Sequence, residues 1–287
     1  MTEKKDSPKT KIVILKLGNI ASSVLLEMLL DERADRTDLE VRTISSGAKL
    51  ENTSISDAYN ISKNVDCDLI LITTPNASLP NTMKLISKVK EKKLPTIIIS
   101  DILKDESIEI FKKENIGYLM IKADAMIGAR REFLDPMEMV LYNSDLLKVL
   151  AVGGVLNLIY HEIDAVIEQI SRKETVILPQ IKVTSASAVK YAGFSNPYAE
   201  VKARGALEIA EKVSDINHKG CFKINDREEY ITQVATGHEM MRNAAQLADD
   251  AREIEKINNR VRRQPHSYEG EIQEKITLTE KPSSKYK

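Results

Sequence analysis

The sequence predicts an α/β fold, a Rossmann-like doubly wound parallel sheet followed by a helical bundle with a small β segment. Up to residue 134, short β-branched and aliphatic runs alternate with helical patterns, which is typical of βαβ units. From residue 135 onward, long helical patterns dominate. We therefore divide the chain into an α/β domain (residues 1–134), a helical bundle domain (135–261) and an extended C-terminal tail (262–287).

The first domain is predicted from its apolar runs. Residues 11–17 form a near-continuous aliphatic run, which indicates a strand buried on both faces. Further strands are predicted at residues 40–45, 68–74, 96–100 and 118–121. Helical patterns lie between them, at residues 22–30, 55–63, 82–92 and 107–114.

The second half begins with a strong helix start. Asp135 suits the N-cap, Pro136 the first helical position, and Glu138 the capping-box position. The helical pattern runs to about residue 172, with a kink predicted at Gly153-Gly154. Strands are predicted at residues 178–183 and 220–223, and further helices from residue 197 and over 230–258.

Two apolar features of this half predict a homo-oligomer. Residues 140–170 are apolar on more than one helical face, which indicates burial in a bundle or an interface. The next helix carries a stripe of small residues at Ala199, Ala203, Ala206 and Ala210. We expect this second domain to serve as the oligomerisation domain.

Composition excludes several classes of protein. The net charge of −1 argues against an electrostatic binder of nucleic acid or of a membrane surface. No run approaches transmembrane length. The two cysteines, Cys67 and Cys221, have no spacing typical of a zinc site or a disulfide framework. We expect reduced thiols in a cytoplasmic protein.

Four of the predicted strands end in polar residues, in Gly18-Asn19, Thr73-Thr74-Pro75-Asn76, Ser100-Asp101 and Lys122-Ala123-Asp124. Because the carboxyl ends of parallel strands meet at one edge, these ends should form a crevice where ligands bind. Each loop alone is better explained by turn-forming residues, whereas the four together favour a ligand site. The glycine-rich dinucleotide fingerprint is absent, so a standard nicotinamide site is not expected.

The junction between the two domains is rich in charge. It places Arg130, Arg131 and Glu132 just beyond Lys122 and Asp124. We interpret the junction as the wall that faces the strand-end loops. The alternative for Arg130-Arg131 is a salt-bridged hinge beside Glu132 and Asp135.

Several long motifs carry a family resemblance. They are Asp-Ala-Met-Ile-Gly-Ala-Arg-Arg-Glu-Phe-Leu-Asp-Pro at residues 124–136, Asn-Pro-Tyr-Ala at 196–199, Gly-Cys-Phe at 220–222, and His238-Glu239 through Ala251-Arg252-Glu253. Over nearly its whole length the chain resembles the archaeal F420-dependent methylenetetrahydromethanopterin dehydrogenases.

The resemblance implies an oxidoreductase of methanogenic-type one-carbon metabolism. It would move a hydride between methylenetetrahydromethanopterin and the deazaflavin coenzyme F420, with no metal and no acid–base residue. The coenzyme would lie at Gly18, Asn19, Pro75, Asn76 and Asp101. The pterin would lie at Lys122, Asp124, Arg130, Arg131 and Glu132. The resemblance also implies a cytoplasmic homo-oligomer, a hexamer as in the family, with no nucleic-acid or membrane partner.

The strand-end loops depart from the family pattern. Residues 75–82 and 100–104 lack the usual glycines and two prolines, and Ala21 replaces another glycine. Added Cβ atoms and a more mobile loop predict weaker F420 binding. Two alternatives follow: a paralogue that uses another hydride carrier or pterin, or a non-catalytic pterin-binding protein.

Overall fold

The computed structural model describes residues 9–32, 36–126, 135–262 and 266–281. Its main element is a parallel sheet of six strands in the order β2-β1-β3-β4-β5-β6. The strands are β1 (Thr10–Lys16), β2 (Leu39–Ser45), β3 (Leu69–Asn76), β4 (Thr96–Ile102), β5 (Gly117–Ile121) and β6 (Gln180–Val183). The predicted doubly wound parallel sheet is confirmed.

The strand order fixes where the chain reverses direction. The chain moves outward from β1 to β2, then crosses back over β1 to β3. The topological switch point, where open α/β sheets bind ligands, therefore lies between the carboxyl ends of β1 and β3. This order is the flavodoxin-like arrangement extended by one strand, and it differs from the order of the dinucleotide-binding Rossmann fold.

Helices cover both faces of the sheet, and they are α1 (Ala21–Glu27), continued by a π-helical turn (Met28–Glu32), α2 (Asn52–Ser62), α3 (Pro80–Lys90) and α4 (Asp105–Lys113). Successive residues of β1 enter different cores. Ile12 and Ile14 pack with α1 and the later helices, on what we call the bundle face. Val13 and Leu15 pack with α2, α3 and α4. A strand with two buried faces reads as a continuous apolar run for this reason.

The second half adds α5 (Pro136–Val152), α6 (Val155–Ser171), α7 (Ser185–Ala192), α8 (Pro197–Phe222) and α9 (Arg227–Ile257). The predicted N-cap is confirmed, since Asp135 Oδ1 accepts hydrogen bonds from the backbone N–H groups of Met137 and Glu138. The predicted kink is confirmed too, with 62° between α5 and α6. Gly154 adopts φ +94°, and a Cβ there would lie 2.1 Å from the carbonyl oxygen of Ala188.

Two expectations about the second half need correction. The strand predicted at residues 220–223 is wrong, because Gly220 to Phe222 form the last turn of α8. A Cβ on Gly220 would lie 2.8 Å from Cγ2 of Val234 in α9, so this glycine serves helix packing. The alanine stripe is not free for a subunit contact, since Ala199, Ala203, Ala206 and Ala210 are buried within the chain.

The second half also completes the sheet, because β6 pairs in parallel with β5. Residues of both halves share one hydrophobic core on the bundle face. The domain boundary predicted near residue 134 lies outside the described residues and stays a prediction.

In the part of the chain that the structure describes, no single helix is long and apolar enough to cross a membrane. The bent pair α5–α6 passes this test by length and composition only.

The C-terminal segment is packed against the molecule. It forms a small antiparallel ribbon of β7 (Val261–Arg262) and β8 (Lys275–Ile276). Between them, His266 is fully buried and its Nε2 lies 2.6 Å from Asp164 Oδ2 of α6. Arg36 donates to Asp164 and, through two nitrogens, to Asp38. We call Arg36, Asp38, Asp164 and His266 the C-terminal clasp.

Candidate functional site

The strand-end loops of β1 and β3 touch at the switch point. Gly18, just beyond β1, adopts φ +74°, a backbone conformation that favours glycine. A Cβ on Gly18 would lie 3.1 Å from Cδ of Pro75 and 3.4 Å from Leu50 Cδ2. The structure thus brings together two of the predicted site residues, with the half-buried Asn19 beside them.

The loops after β3 and β4 are hydrogen-bonded to each other. Asn76 Oδ1 accepts from the N–H of Ser78 at 3.0 Å, which makes Asn76 a turn-forming residue. Ser78 Oγ in turn accepts from the N–H of Lys104 at 2.9 Å and bonds Ser107 Oγ at 2.8 Å. The N–H of Ala77 donates to Ser100 Oγ at 3.0 Å. Two loops that the sequence interpretation treated as weakened are therefore tied together by the side chains of Ser78 and Ser100.

A carboxylate of the chain occupies the N-terminus of α1. Asp124 ends the 3₁₀ helix Lys122–Asp124 that follows β5. Its Oδ1 accepts from the N–H of Ser22 at 2.7 Å, and its Oδ2 accepts from Ser22 Oγ. A dinucleotide-binding domain would place a phosphate at this helix end. The occupied helix end therefore agrees with the missing glycine fingerprint.

Asp101 lies next to last in β4 and is 6% exposed. Its Oδ1 has no hydrogen-bond partner among the described residues. Burial raises the pKa of Asp101 well above its ordinary value, and the nearby charge of Asp124 raises it further. Burial also raises the pKa of Asp124 to about 7, against the opposing hydrogen bonds from Ser22. The structure thus pairs one residue predicted for the coenzyme with one predicted for the pterin.

Lys122, which was also predicted for the pterin wall, is not brought to this pair. Lys122 forms an ion pair with Asp215 of α8 at 2.8 Å and lines a separate small cavity beside Thr184 and Glu211. The predicted residues Arg130, Arg131 and Glu132 lie outside the described residues, so their roles stay predictions.

The predicted site residues leave out polar residues of the sheet itself, although Thr73 and Thr74 were among the predicted polar strand ends. Lys16 and Thr73 pair across β1 and β3, and the alternation of each strand places both on the bundle face, as it does Asp101. Thr73 Oγ1 is buried and has no hydrogen-bond partner among the described residues. On the opposite face, Thr74 Oγ1 and Thr82 Oγ1 are also buried without a hydrogen-bond partner among the described residues. Strand alternation in the sequence was the signal that could have found them.

Tyr142 of α5 links the segment that follows β5 to the helical bundle. Its hydroxyl donates to the carbonyl oxygen of Ala125 at 3.2 Å and accepts from Asn217 Nδ2 at 3.0 Å. Its ring stacks on His238 with 4.9 Å between ring centroids. Burial raises the pKa of Tyr142 far enough that the phenol stays neutral, so it serves as a hydrogen-bonding group.

The N-termini of α2, α3 and α4 at this edge lack a side-chain cap hydrogen bond, and the first turn of α4 carries Asp105 and Glu106. The N-termini of α2 and α3 follow β2 and β3. Their free N–H groups and positive dipole ends suit a phosphate or carboxylate. The edge thus offers N–H donors for an anionic tail and buried polar atoms at Thr73 and Asp101 for a polar ring. In the part of the chain described, no three ligand-type side chains group as a metal site would require.

Comparison with known proteins identifies the family. The model described as methylene-5,6,7,8-tetrahydromethanopterin dehydrogenase matches residues 10–283. The F420-dependent methylenetetrahydromethanopterin dehydrogenase of Archaeoglobus fulgidus is 50% identical over 272 residues, which cover 95% of this chain and 98% of that protein. The chain belongs to the methylenetetrahydromethanopterin dehydrogenase family.

Other members of the methylenetetrahydromethanopterin dehydrogenase family match equally fully. The F420-dependent enzyme of Methanothermobacter thermautotrophicus is 44% identical over 276 residues, covering 95% of this chain and 99% of that protein. A solved F420-dependent dehydrogenase, in complex with methylene-tetrahydromethanopterin and coenzyme F420, is 39% identical with a TM-score of 0.89. That match covers 96% of this chain and 100% of the solved chain, so the resemblance drawn from motifs is confirmed.

Proposed function

We propose that this protein transfers a hydride between methylenetetrahydromethanopterin and coenzyme F420. The observation that carries the proposal is the match, over 96% of the chain, to an F420-dependent dehydrogenase solved with both molecules. The carboxyl edge of the sheet fits such ligands, since it combines uncapped helix ends with buried, unpartnered Thr73 Oγ1 and Asp101 Oδ1. When bound, the deazaflavin supplies the carbon that takes the hydride.

The work left to the chain is to bind, orient and exclude water. We infer that the α2 and α3 N-termini and the touching Gly18 and Pro75 loops hold the coenzyme. The pterin would lie toward the junction, where Arg130, Arg131 and Glu132 remain the predicted contacts. No metal is assigned a role.

The direct test follows the deazaflavin absorbance as the purified protein is mixed with methylenetetrahydromethanopterin and F420. We expect F420 reduction that depends on both compounds and survives a metal chelator. A matched reaction with a nicotinamide carrier in place of F420 should show no turnover. Turnover with that carrier and none with F420 would favour the other-carrier alternative. Pterin binding without turnover with any carrier would favour the non-catalytic alternative.

The loops after β3 and β4 bear on coenzyme affinity. The lost prolines predict an ordering cost on binding, but the hydrogen bonds of Ser78 to Lys104 and Ser107 already order the loops. We therefore infer that Ser78 replaces part of the stiffness that the family obtains from proline. Ser78→Ala should weaken F420 binding severalfold in a fluorescence titration and leave pterin binding unchanged. Equal F420 affinity in both proteins would contradict this inference.

We also propose that the protein is a homo-oligomer in the cytoplasm, with a hexamer expected from the family. Three apolar side chains of α5, Met137, Val140 and Leu141, are 71%, 59% and 44% exposed. Their spacing places them on one side of the helix, where an apolar patch suits a second subunit. Neither Cys67 nor Cys221 forms a disulfide in the part of the chain that the structure describes, in keeping with a reducing compartment.

Light scattering tests the subunit contact. Val140→Asp should lower the mass measured at micromolar concentration, because it places a charge in the proposed interface. Ile177→Asp is the matched control, since Ile177 is 74% exposed outside any helix or strand. A monomeric native protein would contradict the proposal.

A further inference from the structure

The carboxyls of Asp101 and Asp124 are both buried at the carboxyl edge, yet they receive unequal hydrogen bonding. Asp124 accepts from the backbone N–H and the hydroxyl of Ser22 and from the N–H of Ala21. Among the described residues, the one hydrogen bond that the Asp101 carboxyl accepts comes from its own backbone N–H, and its Oδ1 has no partner. Donors stabilise an ionised carboxylate, whereas a buried carboxylate without donors is strongly disfavoured.

No described cation compensates a second negative charge at this place. The titratable groups that face the pair are Tyr142 from α5 and, beyond it, Cys221 from α8. Lys122, in the same 3₁₀ helix as Asp124, is paired with Asp215 of α8. Lys16 projects from the same face of the sheet but two strands away from β4, about 10 Å by strand spacing. Two neighbouring buried carboxyls in such surroundings share one proton.

We propose that Asp101 carries this proton as a neutral carboxylic acid and is the proton donor of the reaction, with Asp124 as the partner that ionises first as pH rises. The proposal rests on the proposed function. It replaces the expectation, drawn from the family resemblance, of a site without acid–base chemistry. Unequal environments that separate two neighbouring carboxyls into an acid and an anion are a recurring way to assign such roles.

The proton balance of the reaction requires a donor. Hydride transfer moves two electrons and one hydrogen from the methylene carbon to the deazaflavin, and the oxidised pterin becomes a cation. The neutral reduced coenzyme holds one more proton on a ring nitrogen, so the reaction consumes one proton in this direction. The O–H bond of Asp101 breaks as that proton leaves Oδ1, and solvent then reprotonates the carboxylate. In the reverse direction, the ionised Asp101 accepts the proton.

Infrared spectroscopy tests the protonation without any ligand. A protonated carboxyl shows a C=O stretch that a carboxylate lacks, and the band shifts in heavy water. At pH 8 we expect such a band in the native protein and its loss in Asp101→Asn. In Asp124→Asn the band should persist in acid and disappear at a lower pH than in the native protein. Absence of the band in the native protein would overturn the proposal. If Asp101→Asn does not fold, as judged by circular dichroism, Asp101→Ser takes its place.

Kinetics and binding test the use of the proton. Asp101→Asn keeps the size and a hydrogen-bond donor but cannot release a proton. We expect F420 and pterin dissociation constants within about threefold of the native values, and turnover lower by about 10²–10⁴-fold, the usual contribution of a general acid. Equal losses in binding and in turnover would instead mean that Asp101 only shapes the site, and would overturn the proposal.

The pH profile adds a readout that a structural role would not change. F420 reduction needs neutral Asp101, so its rate should fall as pH rises through the pKa of that carboxyl. Asp124→Asn removes the like charge that raises this pKa, so the alkaline limb should move to lower pH. If the alkaline limb of the Asp124→Asn profile stayed at the native pH, the pairing of Asp101 with Asp124 would be overturned. If the native protein shows no F420-dependent turnover, the proposed function itself has failed, and the infrared result is unaffected by that failure.

Discussion

Buried carboxyl groups in this protein behave differently because their hydrogen-bond donors differ. Glu255 of α9 accepts from the N–H groups of Ser195 and Asn196 and lies 3.4 Å from Lys275 Nζ. Burial raises the pKa of Glu255, but these donors and the lysine outweigh burial and lower it overall. Asp124 also has donors, yet complete burial beside Asp101 leaves its pKa raised.

The first prediction concerns the pH dependence of stability in Asp124→Asn. The pKa of Asp124 is about 7 in the folded protein and 3.8 in the unfolded chain, so between these values the folded state binds more protons. Its contribution to unfolding free energy therefore falls as pH rises from about 4 to about 7, by up to about 1.4 kcal/mol per pH unit. The variant should lose that part of the slope in urea titrations at a series of pH values.

Glu255→Gln supplies a control of opposite sign. A carboxyl group whose pKa is lowered by folding stabilises the protein at pH values above 4.5, its pKa in the unfolded chain. That stabilisation is lost as pH falls through its pKa in the folded protein. The Gln variant should be less stable than the native protein at neutral pH, by about 1.5–3 kcal/mol for a charged hydrogen bond, and should approach it in acid. An unchanged slope in Asp124→Asn would contradict the raised pKa.

At the scale of elements, small residues decide how the long helices pack. α8 and α9 run side by side through buried alanines, among them Ala206, Ala210 and Ala248. Small side chains let two helix backbones approach closely. The same closeness leaves no room for a Cβ at Gly237, where it would lie 2.2 Å from Asn217 Oδ1.

Two glycines of α8 give a matched pair for the second prediction. A Cβ at Gly220 would lie 2.8 Å from Val234 Cγ2, whereas at Gly205 the nearest atom, Leu247 Cδ1, is 3.7 Å away. Gly220→Ala should lower the unfolding free energy by about 1–3 kcal/mol through overpacking. Gly205→Ala should raise it by up to about 1 kcal/mol through helix propensity. Thermal melts of both variants would show shifts of opposite sign, and shifts of the same sign would argue against this packing.

At the scale of the whole molecule, the C-terminal clasp joins distant parts of the chain. It connects the segment before β2, helix α6 and the C-terminal ribbon, at the amino ends of the strands and so opposite the candidate site. The N–H of Thr37 also donates to the carbonyl oxygen of Tyr268 at 2.8 Å. The clasp therefore serves stability, and ligand binding is left to the opposite edge of the sheet.

The third prediction tests the clasp by Arg36→Lys. The Arg36 side chain is 3% exposed and bonds Asp38 and Asp164 with three nitrogens, a geometry that lysine cannot reproduce. We expect a loss of about 1–3 kcal/mol in urea unfolding, because lysine would leave carboxylate oxygens of Asp38 and Asp164 without a hydrogen-bond donor. Arg172→Lys is the control, since its 60%-exposed side chain makes an ion pair within one helix. Equal effects of the two variants would show that the clasp contributes little.

The sequence by itself determined the main sheet and its edge. Runs such as residues 11–17 and 68–74 predicted strands because a strand with two buried faces has no polar alternation. Because the carboxyl ends of parallel strands meet at one edge, the sequence placed the polar strand ends together. The motif at the junction predicted the family. The loops were harder to interpret. Ser78 lies in a loop that appeared only to have lost prolines and a glycine, although its hydroxyl ties two loops that are distant in sequence.

Only the tertiary structure decided which polar residues meet. Asp101 and Asp124 are separated along the chain, and the sequence interpretation assigned them to different ligands, Asp101 to the coenzyme and Asp124 to the pterin. Their pairing depends on the neighbouring positions of β4 and β5 and on α1, whose N-terminal N–H groups take up one carboxyl and leave the other without donors. The strand at residues 220–223 was mispredicted because local composition favoured it, whereas close contact with α9 keeps Gly220 helical. Local preference is a property of the sequence, whereas burial and hydrogen-bond supply arise only when distant segments pack together.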